Sequence, residues 1–238
     1  VLRAAGVDES AALHVAFECH DEIEQDGERF RFGASIELKK ALSAETLLAT
    51  HMNGEPLAAE HGKPRRVVVP GFAGVRSPKW LASITVQDEP SDNPMQADDY
   101  KLFPPHLDKE SADPADGVTI EAMPLNAAIC EPAEGATLKA GPCVMRGYAL
   151  ACDRAIRRVD ISADGGATWR QAELSSDDAA PFAWTFWEIE TTLSPGRREL
   201  VVRAWDAAGQ TQPADPEDVW NFKGYLASSW HRVTVTVV

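Results

Sequence analysis

The chain has 238 residues and a formal net charge of −14 at pH 7, from 37 acidic and 23 basic side chains. Hydrophobic residues make up 44% and charged residues 25%, enough apolar material for the cores of one or two soluble domains. The acidic excess argues against general binding to nucleic acid or anionic membranes, and no apolar run reaches the ~20 residues of a membrane-spanning helix.

The chain opens on Val1 without Met, inside what reads as an amphipathic segment, so an upstream part is expected. "VLRAAGV" reads as the end of a helix with Gly6 as its stop. "ALHVAFECHD", residues 12–21, reads as an apolar strand ending in acids. "GERFRFGASIELKKAL" begins with aromatic alternation and shifts to helical spacing. Ser35, Ile36, Leu38, Ala41 and Leu42 then fit a short helix with Lys39 and Lys40 on its wet side. "LLATHMNGEPLA" reads as a strand followed by a tight turn at Asn53-Gly54. "RRVVVPG" reads as a buried strand stopped by Pro70 and Gly71, and "LASITVQ" as another strand. The stretch from Asp88 to Asp116 is rich in Asp, Pro, Ser and Asn and reads as a linker. Residues 1–112 are thus expected as an α+β domain and 113–238 as a second, all-β domain.

The second half supplies "AAICEP", "GPCVMRGYALA", "AIRRVDISADGG", "TWRQAEL", "FAWTFWEIE", "RRELVVRAWDAAG" and a last strand, "HRVTVTVV". In "DISADGGATW", Asp164-Gly165-Gly166 can supply the positive φ values of a hairpin turn. Six or seven short strands at this spacing point to an immunoglobulin-like sandwich, without the Cys…Trp…Cys pattern of antibody domains. The four cysteines, Cys19, Cys130, Cys143 and Cys152, form no CxxC pair, so buried free thiols are expected and no metal ligand set is indicated. Cys143 and Cys152 are near enough in sequence to allow a bridge, though nothing requires one.

One stretch stands apart chemically. His61 to Leu81, "HGKPRRVVVPGFAGVRSPKWL", carries two Lys, three Arg and a His and no acid. His61, Arg66, Arg76 and Lys79 are candidate anion ligands, with Gly71 and Gly74 allowing close approach of backbone N–H groups. From the residue types alone, solvated cations flanking a core strand are the favoured reading. The stretch holds neither a phosphate-binding GxxxxGK loop nor a dinucleotide-binding GxGxxG. In "FECHDE" the acids and His alternate poorly for a metal, whereas Asp21 suits a hydrogen-bond acceptor for a polar ligand or a loop cap. "WNFKGYLASSWHRV", from Trp220, mixes aromatics with Lys223 and Arg232, as an interface or a packed terminal strand does.

Several of these segments together resemble the C-terminal part of the sulfite oxidase family of molybdopterin-dependent oxidoreductases. "MNGEPLAAEHGKPRRVVVPGFAGVRSPKWLASITV" carries the strongest resemblance, and "DDYKLFPP", "RVDISADGGATW", "RAWDAAGQTQP" and "WNFKGYLASSWHRV" extend it almost end to end. The resemblance implies a sulfite-oxidase-type cofactor domain, incomplete here, and an immunoglobulin-like dimerisation domain. It implies that His61, Arg66, Ser77, Lys79 and Asp21 contact a pyranopterin molybdenum cofactor, Mo-molybdopterin, with Arg76 as a further member. It also implies oxidation of sulfite to sulfate, a homodimer, and electron delivery to a haem, a cytochrome or oxygen.

This sequence departs from the family at two positions near the substrate. Phe32 stands where the family has Tyr, and Lys223 of "WNFKG" stands where it has Arg. The molybdenum-ligating Cys of the family lies upstream of the segments matched, and none of the four Cys corresponds to it. The chain alone is therefore expected to be inactive, as half of a cofactor domain plus a dimerisation domain. A non-catalytic dimeric scaffold and an oxidoreductase for another small sulfur oxyanion or sulfur compound are the alternatives. Periplasm and cytoplasm both remain open.

Overall fold

The structure, a computed structural model, describes residues 1–11, 13–176 and 182–238. Ala12, at the head of the first expected strand, lies outside the described residues. The chain divides into two compact units, Val1–Ala122 and Met123–Val238. Strands predominate in both, and no helix among the described residues is long and apolar enough to cross a membrane.

The first unit is built on a three-stranded antiparallel sheet. Its central strand, His14–Gln25, lies between Glu28–Glu37 and Leu81–Gln87. Alternation decides which face is buried: Val15, Phe17 and Cys19 point inward, while Ala16, Glu18 and His20 take the other face. Val15 and Phe17 pack with Ile36, Leu38, Val67, Val69 and Leu81 into one apolar cluster. Ser35 and Ile36, expected on a helix, are instead in the strand. They lie opposite Ala16 and Val15, and cross-strand pairing outweighs the local helical spacing. The helix is confined to Leu38–Ala41, the one α-helix among the unit's described residues, so the unit is mostly β where mixed α+β was expected.

Two details of this unit shape the site. Glu18 faces Gly33 and Glu22 faces Arg31, so Cys19, His20 and Asp21 all oppose the single residue Phe32. Such a bulge bends the strand and re-aims its side chains. The second detail is the basic stretch, whose strand Arg66–Val68 pairs with Leu47–Ala49. Between them, Asn53 (φ 52°) and Gly54 (φ 84°) turn the small hairpin that the Asn-Gly pair announced.

Asp88 to Asp116, expected as a linker, belongs to the first unit. Its π turn, Met95–Asp99, inserts Gln96, whose side-chain oxygen accepts from the Ser35 amide at 2.6 Å. Lys101–Leu102 then pairs with Val118–Thr119. Polar residues dominate the segment, and its one buried polar side chain, Gln96, is hydrogen-bonded to Ser35 and Arg76, beside buried Met95 and Phe103.

The second unit is a pair of sheets over a common core. One has the order Asn126–Glu131, Gly141–Leu150, Thr185–Leu193, Glu173–Ser175. The other runs Thr137–Leu138, His231–Val237, Gly196–Asp206, Ile156–Ser162, Arg170–Gln171. In Thr185–Leu193, Trp187 and Ile189 enter the core while Phe186, Glu188 and Glu190 face out. Trp187 sits among Met145, Leu200, Val202 and Val235, its indole N–H donating to the Tyr148 carbonyl at 3.1 Å. "TWRQAEL" is two strands rather than one. Arg170–Gln171 pairs in one sheet and Glu173–Ser175 in the other, with buried Ala172 between them.

The hairpin at "SADGGATW" is closed by its own side chains. Ser162 Oγ accepts from the Gly166 amide at 2.8 Å, and Asp164 accepts from both the amide and the hydroxyl of Thr168. Hydrogen bonds from Ser162 and Thr168 hold the Asp164 carboxyl down at about 2. Across the same sheet, fully buried Asp160 accepts from Arg158 and Arg203, and the Arg203 guanidinium lies 3.8 Å from the Trp169 ring centroid and 4.7 Å from that of Trp205. The four cysteines are free thiols. Cys19 is buried, but Cys130 is exposed, because it falls on the outer side of Asn126–Glu131 at a register shift.

His231 gives this unit a pH dependence. Its Nδ1 accepts from the Ile129 amide at 3.2 Å, so the bond exists only in the neutral ring. Burial, opposed by Glu134, lowers the pKa below the ordinary histidine value of 6.5. A folded pKa below the unfolded one means that the contribution is complete above the unfolded value. It is lost as pH falls through the folded one. The urea midpoint should fall as pH drops from 7 toward 5. His231→Asn, which keeps an acceptor but does not titrate, should flatten that part of the profile. Equal slopes for the two proteins would rule the bond out as the cause.

Candidate functional site

The cations of the basic stretch do not share one environment. Arg66, at the start of its strand, is half-buried and donates from Nη2 to the Ser77 carbonyl at 2.9 Å. Burial lowers its pKa, so this guanidinium has lost part of its water and gains from an anionic partner. Ser77 is tied in twice, because its Oγ also accepts from the Val69 amide at 2.9 Å. Lys79, two residues on, donates to the Glu60 carbonyl at 2.8 Å. Glu60 lies in the short turn Ala59–His61, which leaves His61 exposed at its end. Gly62 follows with φ 98°, and a Cβ there would sit 2.8 Å from the Lys79 Cβ. Only glycine combines that backbone angle with that approach.

Asp21 joins from the bulge of the central strand. It is half-buried, and its Oδ1 is buried without a hydrogen-bond partner among the described residues. A buried carboxylate oxygen of this kind calls for a donor from a ligand or water. Phe32 lies opposite, half-buried and without a polar atom to offer. Beside Asp21, the buried Cys19 thiol is pushed up to about 12, by burial first and then by Asp21 and Glu18. It stays protonated and unreactive at neutral pH.

Arg76 is turned away from these groups and is fully buried. Nε donates to the Ile120 carbonyl at 2.8 Å, and Nη1 donates to the Ser35 carbonyl and the Gln96 side chain. It closes the short turn Gly74–Arg76 onto the Ser35 strand and the π turn, immediately before Ser77. Its remaining Nη2 has no partner among the described residues.

Lys223 belongs to the second unit. It lies in a loop braced by Asn221, whose side chain donates to the Tyr225 carbonyl at 2.7 Å and accepts from the Tyr225 amide at 3.1 Å. Arg66 and Ser77 are thus joined by one hydrogen bond, Lys79 and the His61 turn by another, and Asp21 is carried on the bulge of the central strand.

Trp80 and Gln96 escape sequence reasoning. Trp80 has φ 49°, a left-handed angle that no propensity forecasts for tryptophan. Its carbonyl accepts from the His20 amide at 2.9 Å, and its indole donates to the Ala59 carbonyl at 2.8 Å. Gln96 sat in a stretch without periodicity, and nothing there marked a buried partner for Ser35 and Arg76.

Among the described residues no group of three or more His, Cys, Asp or Glu is arranged to hold a metal ion. The arrangement instead suits an organic anion. Desolvated and half-buried cations favour a phosphate, and the unpartnered carboxylate oxygen favours a ring rich in N–H groups.

Comparison with known proteins gives the same direction. A family model for an oxidoreductase molybdopterin binding domain matches residues 1–95, and one for a Mo-co oxidoreductase dimerisation domain matches residues 118–238. Mitochondrial sulfite oxidase of Homo sapiens is 40% identical over 230 residues, covering 93% of this chain and 42% of that protein. The chain belongs to the sulfite oxidase family of molybdopterin-dependent oxidoreductases. Sulfite oxidase of Arabidopsis thaliana is 38% identical, over 93% of this chain and 59% of its own length. The sulfane dehydrogenase SoxCD from Paracoccus pantotrophus superposes with a TM-score of 0.78 at 25% identity, over 99% of this chain and 57% of that one. The chain spans less than half the length of the human relative. The cofactor of this sulfite oxidase family member is molybdenum carried by molybdopterin. The orphaned Asp21 oxygen and the desolvated Arg66 guanidinium fit such a group, because each lacks within the unit the partner that a pterin or its phosphate brings.

Proposed function

We propose that the protein containing this chain oxidises sulfite to sulfate, and that this chain supplies half of the pterin pocket and the dimer interface. The observation that carries the proposal is the half-buried Arg66, bonded to Ser77 within an acid-free stretch, supported by Lys79 held at the His61 turn and by the unpartnered Asp21 oxygen. Arg66 and Lys79 bind the phosphate, with His61 beside them. Ser77 and its backbone line the approach, and Asp21 accepts from the pterin ring. Arg76 supports the turn from beneath without touching the ligand. When bound, the cofactor supplies oxygen-atom transfer to sulfur and accepts the two electrons. Lys223 is the proposed substrate cation by the motif it occupies, a point charge in place of a planar fork. Phe32 is the proposed wall of the reacting site. The second unit is an immunoglobulin-like dimerisation domain, as its two largely antiparallel sheets over one core support.

Phe32 favours one alternative. Its ring offers no hydroxyl, and the structurally similar SoxCD is named for a sulfane substrate rather than sulfite. Another sulfur compound is therefore the second reading. The full-length protein should carry about one molybdenum per subunit and reduce an electron acceptor when given sulfite. Turnover with a sulfane donor but not with sulfite would replace the first reading by the second. An inert dimer without molybdenum would point to a scaffold and reject both.

For the dimer we propose the outer face of the Asn126–Glu131 sheet. Trp184 is 51% exposed and Phe186 58% exposed, and Tyr148 stacks on Trp184 at 4.3 Å. A charged row, Glu131–Arg146–Glu188, borders them. Aromatic anchors with a polar rim suit an isologous contact with a second copy, as a dimerisation domain requires. Exposed aromatics at an interface centre contribute about 2 kcal/mol or more each. Trp184→Ser with Phe186→Ser should therefore raise the dimer dissociation constant by about 100-fold or more. Sedimentation of the double variant as an unchanged dimer would move the interface elsewhere.

A further inference from the structure

We infer that Trp80 is the positioning residue of the cofactor pocket, setting the relative places of Asp21, His61 and Lys79. The inference rests on the proposed pocket and goes beyond it, because Trp80 itself is assigned no ligand contact.

The three proposed ligand groups come from three separate segments. Asp21 stands on the bulge of the central strand, His61 ends a short turn forty residues later, and Lys79 precedes Leu81–Gln87. All three segments meet on Trp80. Its carbonyl holds the amide of His20, next to Asp21, at 2.9 Å. Its indole N–H holds the carbonyl of Ala59, in the His61 turn, at 2.8 Å. The Lys79 ammonium lies 5.0 Å from its ring centroid while donating to Glu60 in that same turn.

The backbone at Trp80 supports the inference independently. A φ of 49° is costly for a bulky side chain, on the order of 1–3 kcal/mol, and persists only where the surroundings over-determine it. Glycine would relieve the angle but lose both ring contacts. Phenylalanine would keep the ring but not the N–H. Tryptophan combines the broadest face for the ammonium with an N–H donor at the edge of the ring. Gly62 completes the joint, because any Cβ there would press Lys79 away from the turn.

Pockets that bind a rigid polar group lose affinity steeply when their ligands shift by about 1 Å. Trp80→Phe in the full-length protein should therefore speed loss of the pterin about 10-fold, read by fluorescence of the released, oxidised pterin. The thermal midpoint of the cofactor-free protein should move by no more than about 3 °C. A merely structural role predicts the reverse, a lowered midpoint with an unchanged rate of pterin loss. Arg66→Ala serves as the control for the pocket. If Arg66→Ala loses pterin quickly and Trp80→Phe does not, the positioning role is wrong. If neither loses it, the pocket itself is wrongly placed. Should Trp80→Phe fail to fold, Trp80→Tyr keeps a ring but moves the donor away from the Ala59 carbonyl, and is read by the same two outcomes.

Discussion

Arg66→Ala is expected to weaken molybdopterin binding by the full-length protein by roughly 10–100-fold, the equivalent of one charge-assisted hydrogen bond. The size follows from where the guanidinium stands. It is half-buried, and burial has lowered its pKa, so it already bears the cost of lost water. An anion repays that cost, and in a partly desolvated setting the pair is stronger than on an open surface. Arg66 also spends one nitrogen on the Ser77 carbonyl, which lets it hold the loop and face the ligand at once. Arg66→Lys should restore part of the affinity, since the charge returns but the second bond does not. Stability should change little, because the strand remains secured by pairing with Leu47–Ala49. Pterin and molybdenum contents of the purified variants give the measurement. Full retention in Arg66→Ala would exclude this group from the site.

Gly147→Ala should destabilise the second unit by about 3 kcal/mol or more, the upper end of what overpacking costs. A Cβ at Gly147 would stand 1.9 Å from the Ala128 carbonyl oxygen and 2.4 Å from Trp187 Cζ2. Neither neighbour can yield cheaply. Ala128 belongs to the adjoining strand, and Trp187 is only 2% exposed, with its indole bonded to the Tyr148 carbonyl. Relief would require parting two strands or displacing the largest side chain of the core. Gly141→Ala provides the contrast, because nothing lies within 4 Å of a Cβ there and only its φ of 118° opposes the change. Urea unfolding followed by tryptophan fluorescence measures both. An unaltered midpoint for Gly147→Ala would mean that the two strands sit farther apart than described.

Elements that depend on local chemistry were legible in the sequence. "LASITVQ" coincides with the strand Leu81–Gln87, the Asn53-Gly54 turn has both positive φ values, and Gly6 ends its short helical turn in the left-handed conformation. Features that depend on a distant partner were not. Ser35 and Ile36 have helical spacing, but Ala16 and Val15 decide their conformation. The bulge that presents Asp21 exists only as a mismatch between two strands, which neither strand encodes alone. Arg76 has the composition of a surface cation, and its burial depends on Gln96 and the Ile120 carbonyl, 20 and 44 residues away. The basic stretch was visible as a cluster of charge. Which of its cations faces inward was decided by packing that no spacing rule describes.

The bond from the Ile129 amide to the His231 ring spans 102 residues of sequence. The sheet order has the same character, since Thr137–Leu138 pairs with His231–Val237 and Asn126–Glu131 begins the opposite sheet. The earliest and latest parts of the unit therefore complete one another. Closing so long a loop spends chain entropy before native contacts return it, which places folding in the range of milliseconds to seconds. No contiguous half of the unit contains a finished sheet pair. A chain cut within the unit would therefore leave unpaired strand edges rather than two smaller domains, and such edges are templates for aggregation. The same long-range closure that gives a single cooperative unit also makes its assembly the step most exposed to failure.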